Sequence, residues 1–262
     1  MTKAHELGPR GKIATALSLT AVGGFVDAVG YIALFEVFTA NMSGNSIHVG
    51  ISLGHQTWLE LLRPFCAILS YVVGMILTRI TIGVAGRRGV RRIASFTLAV
   101  EAVLIAMFAH ATPKMHLGQI VDLTSPTYFT MVAWLAFAMG IQTATLNHFG
   151  ALTIYTTFVT GTLTKFSESF TRALFWAYDQ LRQSGMSHIV RLGRKQDDVC
   201  DSAFLASTWS CYVIGAALGT LLKGRWELRA LYIPVAVLAA FIVVDQLRPI
   251  DVEEEKRQTG AA

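Results

Sequence analysis

The sequence predicts an all-α membrane protein of about six transmembrane helices, arranged as two inverted three-helix repeats, each with a broken or re-entrant half-helix. Three observations predict it. Of 262 residues, 53% are hydrophobic and only 15% are charged, a composition more apolar than soluble domains usually have. The apolar residues come in blocks long enough to cross a hydrocarbon core about 30 Å thick. Short motifs recur in the same order in the two halves of the chain, as an internal repeat requires.

Taken in order, the apolar blocks are 13–35, 65–84, 93–111, 128–149, 204–222 and 231–247. Each is apolar all round, whereas a core helix of a soluble protein carries a stripe. The stretch 1–12 is polar and basic and leads into the first block, as a signal peptide would. That block runs on to Phe35 with no small-residue cleavage site before a polar start, so a membrane helix is expected instead.

Loop charges set the expected orientation. The loop 86–92 holds Arg87, Arg88, Arg91 and Arg92, while 55–60 and 111–127 together offer only Lys114 as a full positive charge. By the positive-inside rule the first is cytoplasmic and the other two face outward. The loop 178–199 adds Arg182, Arg191, Arg194 and Lys195 to the inner side. The expected organisation is therefore a cytoplasmic tail 1–12, a first repeat 13–111, an outer loop 112–127, a second repeat 128–247 with the cytoplasmic loop 178–199, and a cytoplasmic tail 248–262. Lys223, Arg225 and Arg229 fall on the outer side and speak against this scheme. The net charge of +5 is read as a record of orientation in the membrane and not as a footprint for nucleic acid.

The repeat appears when 23–77 is laid over 139–218. Gly24 and Ala28 match Gly140 and Ala144; Met42-Ser43-Gly44-Asn45 matches Val159-Thr160-Gly161-Thr162; Tyr71-Val72-Val73-Gly74 with Leu77 matches Tyr212-Val213-Ile214-Gly215 with Leu218. One such match between apolar helices is ordinary, whereas three in the same order are not. Three crossings per unit force the second unit into the membrane upside down, the arrangement in which solute sites form near the midplane where the halves meet.

Each unit also holds a polar, Gly-containing break followed by a short apolar stretch: Thr39, Asn41, Ser43, Gly44 and Asn45 ahead of 46–54, and Thr157, Thr160, Gly161 and Thr162 ahead of 163–170. Side chains of this kind cap helix starts by accepting orphan amide hydrogens. Irregular backbone at membrane depth is tolerated where it lines a cavity or packs against protein. Two half-helix N-termini facing one another would concentrate N–H donors and partial positive charge, which favours a small anion or a neutral polar solute, with Thr39, Asn41, Ser43, Gly44, Asn45, Thr157, Thr160, Gly161 and Thr162 expected to bind it,.

The pattern Gly24-Phe25-Val26-Asp27-Ala28 with Ala40-Asn41-Met42-Ser43-Gly44-Asn45, together with Gly140 and Thr157-Phe158-Val159-Thr160-Gly161-Thr162-Leu163-Thr164, resembles the YoaK-like family of bacterial inner-membrane proteins, catalogued as a domain of unknown function. The resemblance covers about residues 13–247 and implies a multi-pass membrane protein without implying a substrate.

Among single residues, Asp27 lies inside the first block, where an ionised side chain is costly unless paired or wetted; a partner is expected from the other half, in Asn147 or Thr160. Asp27 is expected to bind solute and, with Glu101, His48 and His148, to be a candidate for proton coupling. Glu101 stands about two turns from Arg91 and Arg92, toward which it could snorkel. Gln142 and Asn147 read as solute ligands or as glue between helices.

Enzyme motifs are missing: the sequence has no G-x-S-x-G, no H-E-x-x-H and no phosphate loop,. Cys66, Cys200 and Cys211 are too scattered for a disulfide framework or a zinc site,. No cofactor, metal or catalytic residue is expected. The function expected is a transporter or channel for a small polar solute or anion, with lipid and that solute as partners and homo-oligomerisation left open. The alternative is a non-transporting sensor or scaffold working through 178–199.

Overall fold

In the computed structural model, residues 9–90, 92–111, 122–149, 159–184 and 196–247 are described, and everything below concerns them. They form α1 (Pro9–Ala33), α2 (Met42–Gly54), α3 (Trp58–Arg87), α4 (Ile93–Ala111), α5 (Pro126–Phe149), α6 (Val159–Ser184), α7 (Asp197–Trp226), a 3-10 turn (Glu227–Leu231) and α8 (Tyr232–Leu247). Five stretches are long and apolar enough to cross a membrane: Ile13–Ala33, Trp58–Arg87, Ile93–Ala111, Pro126–His148 and Asp197–Leu247. The last is broken where Glu227 adopts a φ of 52°, so it contains both α7 and α8.

The helix ends follow from local chemistry. Ser125 precedes Pro126 and accepts the Tyr128 amide at 3.2 Å, which places a hydroxyl cap ahead of a proline whose missing N–H costs nothing there. Just upstream, exposed Asp122 accepts the amide and hydroxyl of Thr124, and these bonds hold its carboxyl below the ordinary range. At the end of α3, Gly89 takes a φ of 64° and the Val90 amide reaches back to the Ala85 carbonyl at 2.9 Å. A residue without Cβ in the left-handed region lets the chain turn there toward α4.

Solvation decides what each helix buries. α3 buries one stripe, Pro64, Ala67, Tyr71, Gly74, Thr78 and Ile82, and leaves Leu62, Leu69, Val73, Ile76 and Ile80 exposed. Large apolar side chains all along the open face suit hydrocarbon, not water. α5 is the most buried of the spans, with Val132, Leu135, Ala136, Ala138, Met139 and Ala144 wholly enclosed.

The heaviest packing runs between distant parts of the chain, α1 along α7 and α3 along α5, with α2 on α3, α6 on α7, and α4 between α5 and α8. Glycines permit the two long contacts. A Cβ on Gly24 would collide with the Tyr212 carbonyl and one on Gly215 with the Ala21 carbonyl; on the other seam, Gly140 meets the Tyr71 carbonyl and Gly74 the Phe137 carbonyl. In each case the obstacle is backbone, which a side-chain rotation cannot clear.

Two expectations need correction. The half-helix expected at 163–170 is part of a continuous helix of 26 residues that begins on the motif itself, at Val159. The stretch 178–199, expected as a loop, is helical at both ends, because α6 runs to Ser184 and α7 starts at Asp197. α6 mixes polar and apolar faces and is not among the apolar stretches able to span. By contrast α2, at 13 residues and so about 20 Å long, has the length of a half-helix.

Candidate functional site

Asp27 organises the first half. It lies six residues before the end of α1, about 9 Å along the axis, and is 2% exposed. After α1 the chain makes a strained reversal, with Phe35 and Glu36 at φ 50° and 69°, and re-enters the protein. Gly30 leaves room for it, since a Cβ there would lie 2.6 Å from Thr39 Cγ2. Asp27 Oδ1 then accepts the Thr39 amide at 2.8 Å, the Thr39 hydroxyl at 3.1 Å and the Ala40 amide at 2.8 Å. Its Oδ2 accepts the Tyr212 hydroxyl at 2.7 Å.

Asn45 fastens the same loop from the other side. Its Nδ2 donates to the Phe38 carbonyl at 2.8 Å while its Oδ1 accepts the Phe38 amide at 3.0 Å. Asn41 caps α2, its Oδ1 accepting the Gly44 amide at 3.3 Å and the Ser43 hydroxyl at 2.7 Å. Non-helical backbone inside apolar surroundings must have its polar groups satisfied by protein, and Asp27, Asn41 and Asn45 do this for the loop. Gly44 serves packing: a Cβ there would lie 2.7 Å from the Phe38 ring.

The expected ligands therefore divide. Asp27, Thr39, Asn41, Ser43 and Asn45 are joined in one clasp, but through bonds to each other and to backbone. The partner of Asp27 does come from the second half, yet it is Tyr212 in place of Asn147 or Thr160, because α7 packs along the length of α1 whereas α5 meets α1 only locally, at Leu19, Gly23 and Gly30. Thr160 is exposed and Thr162 buried in the first turn of α6, with Gly161 between them half-buried; Thr157 lies outside the described residues. Asn147, His148 and His48 are half-buried, His148 with a partner.

A second polar contact stands on the other seam. The Tyr71 hydroxyl donates to Thr143 Oγ1 at 2.9 Å, and Thr143 donates to the Met139 carbonyl at 2.9 Å. Beside it Gln142, wholly buried, donates from Nε2 to the Leu19 carbonyl of α1 at 3.3 Å, while its Oε1 lies against Gly23 without a donor. Glu101 does not snorkel: it is 0% exposed and neither oxygen has a hydrogen-bond partner. No group of three or more His, Cys, Asp or Glu suited to a metal occurs among the described residues.

A family model described as "Protein of unknown function (DUF1275)" matches residues 15–244. The chain belongs to the DUF1275 family. It is also similar to the UPF0700 transmembrane protein YoaK of Bacillus subtilis (strain 168), 24% identical over 244 residues that cover 91% of this chain and 95% of that protein. No solved structure matches. This DUF1275 member is thus a membrane protein of a transmembrane family, and the match includes the whole clasp and both seams.

Tyr71, Tyr212 and Thr143 do not stand out as site residues in the sequence of this family member. The signal was present nonetheless. The repeat pairs Tyr71 with Tyr212, and continuing the register of Gly24 on Gly140 sets Asp27 on Thr143, so the side chains that receive the two tyrosines are also at matching positions.

Proposed function

We propose that this DUF1275 protein carries a small polar solute across a bacterial inner membrane, at a site between two inverted halves, 13–111 and 128–247, with both termini in the cytoplasm. Support for the inverted relation comes from the exchange of partners. Gly24 against Tyr212 is answered by Gly140 against Tyr71, and Gly215 against Ala21 by Gly74 against Phe137. Under a two-fold relation, each contact between the halves recurs with the roles swapped. Six crossings, three in each half, would turn the second half over and bring their seam to the midplane.

The observation that carries the reading is the buried Oε1 of Gln142. A buried acceptor is nearly always paired, and leaving one unmade costs about 1–3 kcal/mol. Here it lies between α1 and α5, beside Gly23, where a solute with a donor group would supply the missing bond. The amides of Phe38, Thr39 and Ala40, which an anion would need, are already taken by Asn45 and Asp27. An uncharged or cationic polar solute therefore fits better than an anion.

Purified protein in proteoliposomes tests this with representative neutral polar solutes, monovalent cations and small anions. Flux is expected for the first or second class and its loss in Gln142→Leu, with the variant still eluting as a single folded species. Native-like flux through Gln142→Leu would remove that residue from the path. Absence of flux for every class would leave the sensor or scaffold reading, which one observation favours: α6 exposes Leu174, Phe175, Tyr178 and Leu181 beyond Arg172, the point where it pairs with Asp198 of α7 at 2.6 Å.

A further inference from the structure

The protein treats its buried carboxyls unequally. Asp27 receives four hydrogen bonds. Asp245, wholly buried on α8, accepts the hydroxyl of Ser95 at the start of α4. Glu101, on α4 two turns further along, is as deeply buried and has no donor on either oxygen. It lies eight residues from the start of α4, about 12 Å along the axis and near the middle of that helix. An ionised, unpaired carboxylate in that position costs several kcal/mol, so the charge must be cancelled by a proton or a cation.

The surroundings decide between the two. A metal cation of the hard kind takes six or more oxygen ligands, and the only other buried side-chain acceptor left over among the described residues is the single Oε1 of Gln142. The ionisable groups on the elements packed against α4 are Glu60, Arg63, Cys66, Tyr71, Arg79 and Arg87 on α3, Tyr128 and His148 on α5, Asp245 and Tyr232 on α8, and Glu227 and Arg229 on the 3-10 turn. None of them hydrogen-bonds to Glu101, so no fixed positive group stands in for the missing ion. A proton needs only the carboxyl itself.

We propose that Glu101 is a proton-binding site, occupied in the resting protein and able to exchange, and that its proton is the one coupled to solute movement. The coupling clause rests on the transport reading above; the proton site does not. Of the four residues expected to couple protons, Asp27 is committed to the clasp, and Glu101 alone combines complete burial with a carboxyl that nothing else in the structure uses.

Dicyclohexylcarbodiimide reads the site directly. The acid proton passes to a carbodiimide nitrogen as the carboxyl oxygen adds to the central carbon, and the O-acylisourea rearranges to a stable N-acylurea with nothing lost. Membranes containing the full chain would be treated across a pH series and the peptides weighed. The expected result is an adduct on Glu101 that declines as pH rises, is absent in Glu101→Gln, returns in Glu101→Asp, and is absent from Asp27. Glu101→Gln, an isostere of the neutral acid, should melt like the native protein. No adduct on Glu101 at any pH, or protection by sodium ions at fixed pH, would overturn the proton site. Labelling without solute flux in proteoliposomes would overturn the transport reading and leave the site standing, while flux that neither lowers external proton concentration nor changes in Glu101→Gln would overturn the coupling.

Discussion

The seam between α1 and α7 and the seam between α3 and α5 share a frame and differ in what fills it. In each, a glycine admits the backbone of a tyrosine from the other helix, Gly24 for Tyr212 and Gly140 for Tyr71. Three residues beyond each glycine stands the side chain that receives the tyrosine hydroxyl, Asp27 in the first and Thr143 in the second. The carboxylate has capacity to spare and uses it to hold Thr39 and Ala40, whereas the threonine spends its own proton on Met139 of its own helix. Close backbone approach thus fixes the frame, and the polar occupant is free to take on a second task in one half only.

The sharpest way to break this comparison is to remove both occupants. Asp27→Ala leaves two backbone amides and two hydroxyls without their acceptor, and each buried donor so stranded costs about 1–3 kcal/mol. We expect loss of the folded protein or a fall of several kcal/mol in stability, measured by thermal unfolding in detergent. Thr143→Ala should cost on the order of 1 kcal/mol, since the Tyr71 hydroxyl loses one neutral partner. Equal effects would mean that the loop between α1 and α2 does not depend on Asp27.

The frame itself should respond alike in both halves. Gly24→Ala and Gly140→Ala each drive a methyl group into a carbonyl of the facing helix, and overpacking of this kind costs about 1–3 kcal/mol or more where backbone must move. Both should sit at the upper end of that range, and because the two sites lie on different seams their costs should add in the double variant to within about 0.5 kcal/mol. Gly50→Ala, which meets nothing, is the control. A native melting profile for Gly24→Ala would contradict the close approach of α1 and α7.

Much of the helical frame is legible in the sequence because the bilayer makes a demand that length and apolarity alone can meet. Block 93–111 coincides with α4, and block 231–247 differs from α8 by one residue. α6 is less legible for the converse reason. It faces protein, polar surroundings and an exposed apolar strip at once, so a search for residues apolar all round sees only a fragment of it. Asp27 is legible as a buried charge needing a partner, but the partner is a fact about which helices meet, and nothing local in 13–35 names α7. Glu101 misleads through its distance from Arg91 and Arg92, which in sequence suggests an escape toward the headgroups that the packing of α4 against α5 and α8 closes off. Gly44 reads as an opening for a ligand, yet the ring of Phe38 occupies the space beside it.

The smallest effect sharpens the comparison most, because it isolates charge from packing. Tyr212→Phe and Tyr71→Phe remove the same atom from the two seams and leave ring, glycine and backbone contacts in place. A hydrogen bond to a charged group is worth about 1.5–3 kcal/mol and one between neutral groups about 0.5–1.5 kcal/mol. Tyr212→Phe should therefore be the more harmful by roughly 1 kcal/mol, although Asp27 keeps three of its four donors. The double variants extend the test: after Asp27→Asn, which removes the charge while keeping an oxygen, Tyr212→Phe should fall to the cost of Tyr71→Phe in thermal unfolding. If Tyr212→Phe stays as costly with Asn at position 27 as with Asp, the carboxylate charge is not what separates the two seams, and the difference must lie in how tightly α7 holds its tyrosine ring against α1.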